Sequence, residues 1–224
     1  MKFFYLKTFA VLLITLFIFY SCTKQPLNQD ENLNTTIQKV NTKQTAENSL
    51  LVTSNPFKKT VGAPIDVATG KRWIGNYTNA KRVSEVSYII KGKDLKAILS
   101  NKSCVGICLY YALDGKKQTH ILPIGINENG RMIKSKSIST HEGIINWETA
   151  QKWINNYTGA VQAHFFGSNT FGRLLSNTSR MEIRATVALN DENEPQLLLS
   201  NAAAEAAVQY EDDSVTCPPV CPKP

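Results

Sequence analysis

The sequence predicts an α+β fold: two related α-β-α-β-β units forming one antiparallel sheet with helices packed on one face. Three observations carry this. First, residues 65–78 (IDVATGKRWIGNYT) return as residues 145–158 (INWETAQKWINNYT), with seven of fourteen positions identical. An internal repeat constrains a fold before any local propensity does. Second, Leu95, Ile98 and Leu99 recur as Phe171, Leu174 and Leu175, and both copies then read Leu-Ser-Asn. Third, Val105, Ile107, Leu109, Tyr111 and Leu113 alternate in the manner of a strand, echoed by Met181, Ile183, Ala185, Val187 and Leu189.

Each unit opens with a helix. Asp66 and Asn146 stand where a short side-chain oxygen can satisfy a free backbone N–H. Trp147, Ala150, Ile154 and Tyr157 follow at helical spacing, matched by Val67, Ile74 and Tyr77, with Trp73 and Trp153 on the same apolar stripe. Such a stripe is a packing face. A short extended piece comes next, at 86–90 and 161–166, then a second helix. The first helices repeat at an offset of 80 and the second at 76, so copy two is four residues shorter between them, a difference expected in the loop. Each unit ends in a hairpin. Asp114-Gly115 is its turn signal in copy one, and Pro123 marks the return strand at 121–126 as edge or bulged. One unit of about 60 residues is marginal alone, so the two are expected to pack together.

The expected organisation is a signal peptide at 1–21, a flexible tether at 22–62, repeat one at 63–130 and a connection at 131–144. Repeat two follows at 145–209, with an acidic and Cys/Pro-rich tail at 210–224. The leader has basic Lys2 and Lys7, an apolar run at 9–20 and then Ser21-Cys22. The run is about half of what crosses a bilayer, the layout of an export signal. Its end resembles a lipoprotein signal, which makes Cys22 the lipidated residue. The Asn-, Thr- and Gln-rich stretch that follows buries too little surface to order itself; as a coil it would reach roughly 35 Å.

The formal charge is +7. Without the two leader lysines, 23 basic residues face 18 acidic ones. They are scattered, which leaves no nucleic-acid footprint.

Five cysteines occur. Cys104 and Cys108, four apart on a strand, would hold their Cα atoms about 13 Å apart, beyond disulfide reach. Cys217 and Cys221 are the candidate disulfide, closing a local Pro-rich loop; four cysteines around zinc are the alternative, though a regular strand is a poor place for a chelating pair. A thiol enzyme would need Cys104 or Cys108 beside His120, His141 or His164. These histidines are scattered, and no phosphate loop, paired-carboxylate motif or serine elbow stands out. No metal or cofactor is expected. One contrast between the copies is sharper. Arg180, Glu182, Arg184 and Thr186 make a solvated strand face, and Cys104, Gly106, Cys108 and Tyr110 replace it in copy one. That apolar face is either covered by the fold itself, as in a central strand, or it is a partner-facing surface formed by Cys104, Cys108 and Tyr110, with His164 beside it.

The phrases Trp153-Ile154-Asn155-Asn156-Tyr157, His164-Phe165-Phe166-Gly167, Cys104-Val105-Gly106-Ile107 and Tyr110-Tyr111-Ala112-Leu113-Asp114 resemble segments of uncharacterised Bacteroidota lipoproteins, over about residues 64–200 and the leader. The resemblance implies an outer-membrane lipoprotein and no known activity. Surface display in that phylum resembles an acidic run after the lipidated Cys; Thr23-Lys24-Gln25-Pro26 stands here instead, which favours the periplasmic face. The functional expectation is a non-enzymatic, lipid-anchored envelope module that binds or scaffolds an envelope protein or glycan. The alternative is an envelope hydrolase or thiol enzyme using Cys104 or Cys108 with a histidine.

Overall fold

The structure, a computed structural model, describes residues 55–176, 182–202 and 209–224. The leader, Cys22 and the tether up to residue 54 lie outside the described residues. The fold is α+β, and the described residues fall in one compact unit. Its elements run β1 (Ala63–Ile65), α1 (Val67–Lys81), β2 (Ser87–Lys91), α2 (Gly92–Leu99), β3 (Cys104–Leu113) and β4 (Thr119–Asn127). A small hairpin follows, β5 (Ile138–Ser139) and β6 (Ile144–Ile145). Then come α3 (Trp147–Asn156), β7 (Ala163–Gly167), α4 (Ser168–Ser176), β8 (Glu182–Leu189), β9 (Pro195–Asn201), β10 (Tyr210–Asp212) and β11 (Val215–Cys217). The order α-β-α-β-β thus occurs twice.

The single sheet expected from the sequence is instead two principal sheets. One has the order β1-β10-β9-β8-β2 and the other β11-β7-β3-β4. The reason is an exchange: the short strand of each half pairs with the long hairpin of the other. Ile90 on β2 faces Ile183 on β8. Phe166, 76 residues after Ile90, faces Ile107, 76 residues before Ile183. The hairpins keep the same frame, since Ile107 faces Gly125 and Ile183 faces Asn201. Each short strand takes up the hydrogen-bonding edge of the opposite hairpin, so the hairpins are not left to join each other.

Three apolar layers follow from strand alternation. Ile107, Leu109, Tyr111 and Ile121 of the second sheet share a core with Ile183, Ala185, Leu197 and Leu199 of the first. Leu95 of α2 and Phe171 of α4 belong to the same core, so these helices serve the space between the sheets. The other face of the second sheet packs Cys108, Tyr110, Leu122 and Ile124 with Trp147, Ala150, Trp153 and Ile154 of α3. The other face of the first packs Ala188 and Leu198 with Ile74 of α1. The helices therefore do not share one face, which corrects the second part of the sheet expectation: each long helix covers the outer face of a different sheet.

Local chemistry explains the helix boundaries. Asp66 Oδ1 accepts from Thr69 N at 2.9 Å and Asn146 Oδ1 from Thr149 N at 2.8 Å, capping α1 and α3. The four-residue difference between the copies lies in helix α1 rather than in the loop, because α3 stops at Asn156 while α1 runs to Lys81. Tyr157 turns extended, with φ −79° and ψ 126°, and its ring stacks on Tyr111 at 5.2 Å. The equivalent Tyr77 stays inside its helix.

Both ends of the body are more structured than their composition suggests. Residues 55–62, expected to belong to the tether, are docked. Phe57 is buried edge-to-face on Phe165, Gly167 N donates to Val61 O and Asn169 N donates to Lys59 O. Gly167 permits this approach, because a Cβ there would collide with the carbonyls of Lys58 and Lys59. The acidic tail is also interior: β10 joins the first sheet and β11 the second. Glu211, 1% exposed, pairs with Arg173 through Nε at 2.9 Å and through an Nη2 bond at 2.5 Å. A bidentate guanidinium is what makes a buried carboxylate tolerable.

Among the described residues, no helix is long and apolar enough to cross a membrane.

Candidate functional site

The apolar face formed by Cys104, Cys108 and Tyr110 is interior. These residues are 5%, 0% and 3% exposed, and His164 is 0% exposed; the partner-facing surface drawn through them is corrected. β3 is flanked by β7 and β4, and α3, Phe57 and Cys217 complete its outer cover. Neither thiol is placed for nucleophilic work. Burial pushes both the Cys108 and Cys104 thiols up, the reverse of what a reactive thiolate requires. The Cys104 Sγ is hydrogen-bonded to Gly106 O at 3.2 Å. Cys108 faces Ile124 and His120 faces Ala112 across the β3–β4 ladder, so the two lie four positions apart, about 13 Å along the strand. His164 pairs with Leu109, next to Cys108 in sequence but on the opposite face of the sheet. Cys217 and Cys221, the expected pair, are joined by a disulfide, which removes them from any four-cysteine zinc site.

His164 sits in the central layer. Its Nδ1 meets Ser214 Oγ at 2.9 Å, while its Nε2 is buried without a partner. Desolvation drives its pKa down to about 3. It therefore stays neutral in the folded protein, enclosed beside Tyr111.

A second histidine has richer company. His120 on β4 is 0% exposed. Its ring lies between His141, 4.9 Å away, and Trp153 of α3, 4.8 Å away. His120 Nε2 is 3.1 Å from Asp114 Oδ2, and Nδ1 has no partner. The other Asp114 oxygen accepts from the backbone amides of Lys116 and Gln118, both at 2.8 Å. Desolvation works to raise the Asp114 pKa; the Gln118 amide, His120 and the Lys116 amide outweigh it and hold the carboxyl below its usual range. Glu142, in the turn between β5 and β6, completes a group of three possible ligand atoms within 4.8 Å of one another. In the sequence, Asp114 is a turn residue and the histidines are scattered. The available signal was the spacing, since a hairpin whose turn spans residues 114–118, with Leu113 facing Thr119, brings residues 114 and 120 together.

Concave surface lies elsewhere, along β4, the outermost strand of its sheet. Gly125 O and Asn127 N bond to Ile133 N and Arg131 O, so odd-numbered β4 residues point their backbone outward. Pro123 has the same parity. The residue lacking an N–H thus occupies a position facing the open edge, where it blocks strand addition. Beside this edge, α2 and the β5–β6 hairpin enclose a groove of about 270 Å³ lined by Asp94, Ile98, Asn101, Ile124, Ser135, Ile138, Ile144 and Trp147, among others. A smaller hollow of about 180 Å³ adjoins it, sharing Asp94 and Ser139 and reaching Ile89, Ile121 and His141. Asp94 Oδ2 is shielded from solvent and has no hydrogen-bond partner, whereas Ile144 on the rim is 74% exposed. An apolar floor with a few convergent polar groups is a binding geometry. The sequence marks Ile98 only as a packing position and does not mark Asp94, because their proximity to the hairpin is a tertiary fact.

Comparison of the chain with protein-family models, with curated proteins and with solved structures finds no match.

Proposed function

We propose that this chain is a non-enzymatic, lipid-anchored binding module of the cell envelope, held by Cys22 in the outer membrane and facing the periplasm, with an envelope protein as its partner. One observation carries the binding reading: the groove between α2 and the β5–β6 hairpin, where Ile98, Ile124 and Ile138 offer an apolar floor and Asp94 keeps an unpartnered oxygen. A shielded acceptor without a donor costs about 1–3 kcal/mol. A partner that seats an apolar side chain on that floor and donates one hydrogen bond to Asp94 relieves this cost. A protein segment supplies both features at once; a glycan supplies donors but little apolar surface.

The test uses the full-length chain carrying a photo-crosslinking residue at Ser135 in living cells. Crosslinking to one discrete protein is expected, abolished by Ile98→Glu and retained by Ile89→Asp on the neighbouring strand. Equal crosslinking in both variants, or a glycan adduct, overturns the protein-groove reading. The anchor is tested separately by metabolic labelling with a fatty acid, which should be lost in Cys22→Ala.

A further inference from the structure

We infer that Asp114, His120 and Glu142 form a binding site for a divalent first-row cation, with Zn²⁺ the best match to their chemistry. Two carboxylate oxygens and one imidazole nitrogen are ordinary zinc ligands at about 2.0–2.2 Å, and a three-ligand set leaves room for water. Atoms bound tetrahedrally to one ion at that length are about 3.3–3.6 Å apart. His120 Nε2 and Asp114 Oδ2 already lie 3.1 Å apart, and the full set lies within 4.8 Å. The remaining closure of up to about 1.5 Å falls to Glu142, whose side chain is 41% exposed and borne on a hairpin turn.

The other half of the molecule separates this group from a mere turn device. Asn190 is 76 residues after Asp114. Its Oδ1 accepts from the amides of Glu192 and Glu194 at 3.0 and 2.8 Å, the same two bonds that Asp114 makes to Lys116 and Gln118. Lys117 and Asn193 hold the same left-handed position, with φ 64° and 63°. The turn therefore needs one side-chain oxygen, and a neutral amide supplies it. At Asp114 a carboxylate stands instead, and its second oxygen faces His120; the residue matching His120 is Gln196. The charge and the imidazole are additions to what the fold demands. His120 is fully enclosed, stacked between Trp153 and His141, so its ring is held in one orientation before any ion arrives. Because His141 and Thr140 also line the hollow that adjoins the groove, an ion at this site would fasten the hairpin forming the groove wall.

The test is calorimetric titration of the full-length protein with Zn²⁺ after exhaustive chelation. Saturable one-to-one binding is expected. Asp114→Asn, which retains the turn as Asn190 does, and Glu142→Gln, an exposed change, should each weaken it by more than about tenfold, since even outer-shell changes cost that much. Melting curves in chelator should show both variants folded. Absence of saturable binding by the wild-type chain overturns the site. So does wild-type affinity in both variants, which would place the zinc on other residues.

Discussion

Matched strands of the two halves differ most in how they are covered. β7 and β2 occupy equivalent places, each paired antiparallel to the long strand of the opposite half in the same register. Yet every residue of β7 is buried, whereas Ile89 on β2 is 41% exposed and its equivalent Phe165 is 0% exposed. The backbone does not distinguish them. The difference comes from outside the repeated units: β11 pairs with β7, and Phe57 covers Phe165. β2 has neither neighbour and remains the end strand of its sheet. Elements lying outside the repeated units thus turned one of two equivalent strands into a fully enclosed one.

The sharpest break of this comparison is Cys108→Arg, which gives β3 the residue that β8 carries at the matching position, Arg184. Arg184 is only half-buried; Cys108 is 0% exposed between α3 and the sheet. Burying an unpaired charge costs several kcal/mol, on the order of the whole stability of a domain this size. We expect no soluble folded protein, against a folded Arg184→Cys variant, by size-exclusion and circular dichroism. A stable monomeric Cys108→Arg protein would mean that α3 leaves this face readily.

Phe165→Ala and Ile89→Ala sharpen it further. Removing an enclosed phenyl ring costs about 3–5 kcal/mol, and trimming the half-exposed isoleucine should cost under about 1.5 kcal/mol. Urea denaturation of the two variants measures the gap. Equal losses would show that covering, rather than pairing, is not what separates the strands.

Much of this was readable in the chain, for physical reasons that also mark where reading stops. Asp66 and Asn146 announce their helices because capping is a local, short-range bond. The two hairpins follow from period-two alternation and the turn at Asp114-Gly115. Pro123 identifies an outer strand because a missing N–H can be tolerated only there. Which strands pair across the halves is not local information, so the exchange that makes two sheets instead of one was invisible. Composition also misled at both ends. Phe57 and Val61 are two apolar residues in a polar stretch, enough to dock it once Gly167 lets the backbone close in. Glu211 reads as solvated until Arg173 is placed against it. The Asp114–His120 pair was legible in principle, because hairpin closure brings it together, whereas Glu142 arrives from a separate hairpin and was not.

Another matched pair is Tyr88 and His164, both on short strands. Burial lifts the Tyr88 phenol to about 12, far from physiological titration, but it lowers His164 to about 3. Unfolding frees this imidazole to take up a proton near pH 6.5. The unfolded chain therefore binds more protons between about pH 6.5 and 3, and the contribution is fully present above that window and lost as pH falls through it. Asp212, pushed by desolvation up to about 6, acts in the opposite sense, losing stability as pH rises from 3.8 towards 6. Subtracting the curve of His164→Gln from that of the wild type isolates the histidine. The difference between pH 7 and pH 4 should be on the order of 2–3 kcal/mol, by urea denaturation at each pH; a flat difference would mean that His164 reaches solvent.

The finest comparison is between the two hairpin turns. Asp114→Asn and His120→Gln each copy the second half onto the first. Singly, each removes one side of the bond between Asp114 Oδ2 and His120 Nε2 and leaves a buried polar group facing a changed partner, at about 1–3 kcal/mol. His120→Gln also loses the stack on Trp153, so it should be the costlier of the two. Together they restore the combination that Asn190 and Gln196 already present in the same turn geometry, and the double variant should lose less than the sum of the single ones. A coupling of about 1 kcal/mol in the metal-free protein is the expected result of this double-mutant cycle. Strict additivity would mean that the carboxylate and the imidazole do not sense each other without an ion, which would leave the second Asp114 oxygen with no structural task at all.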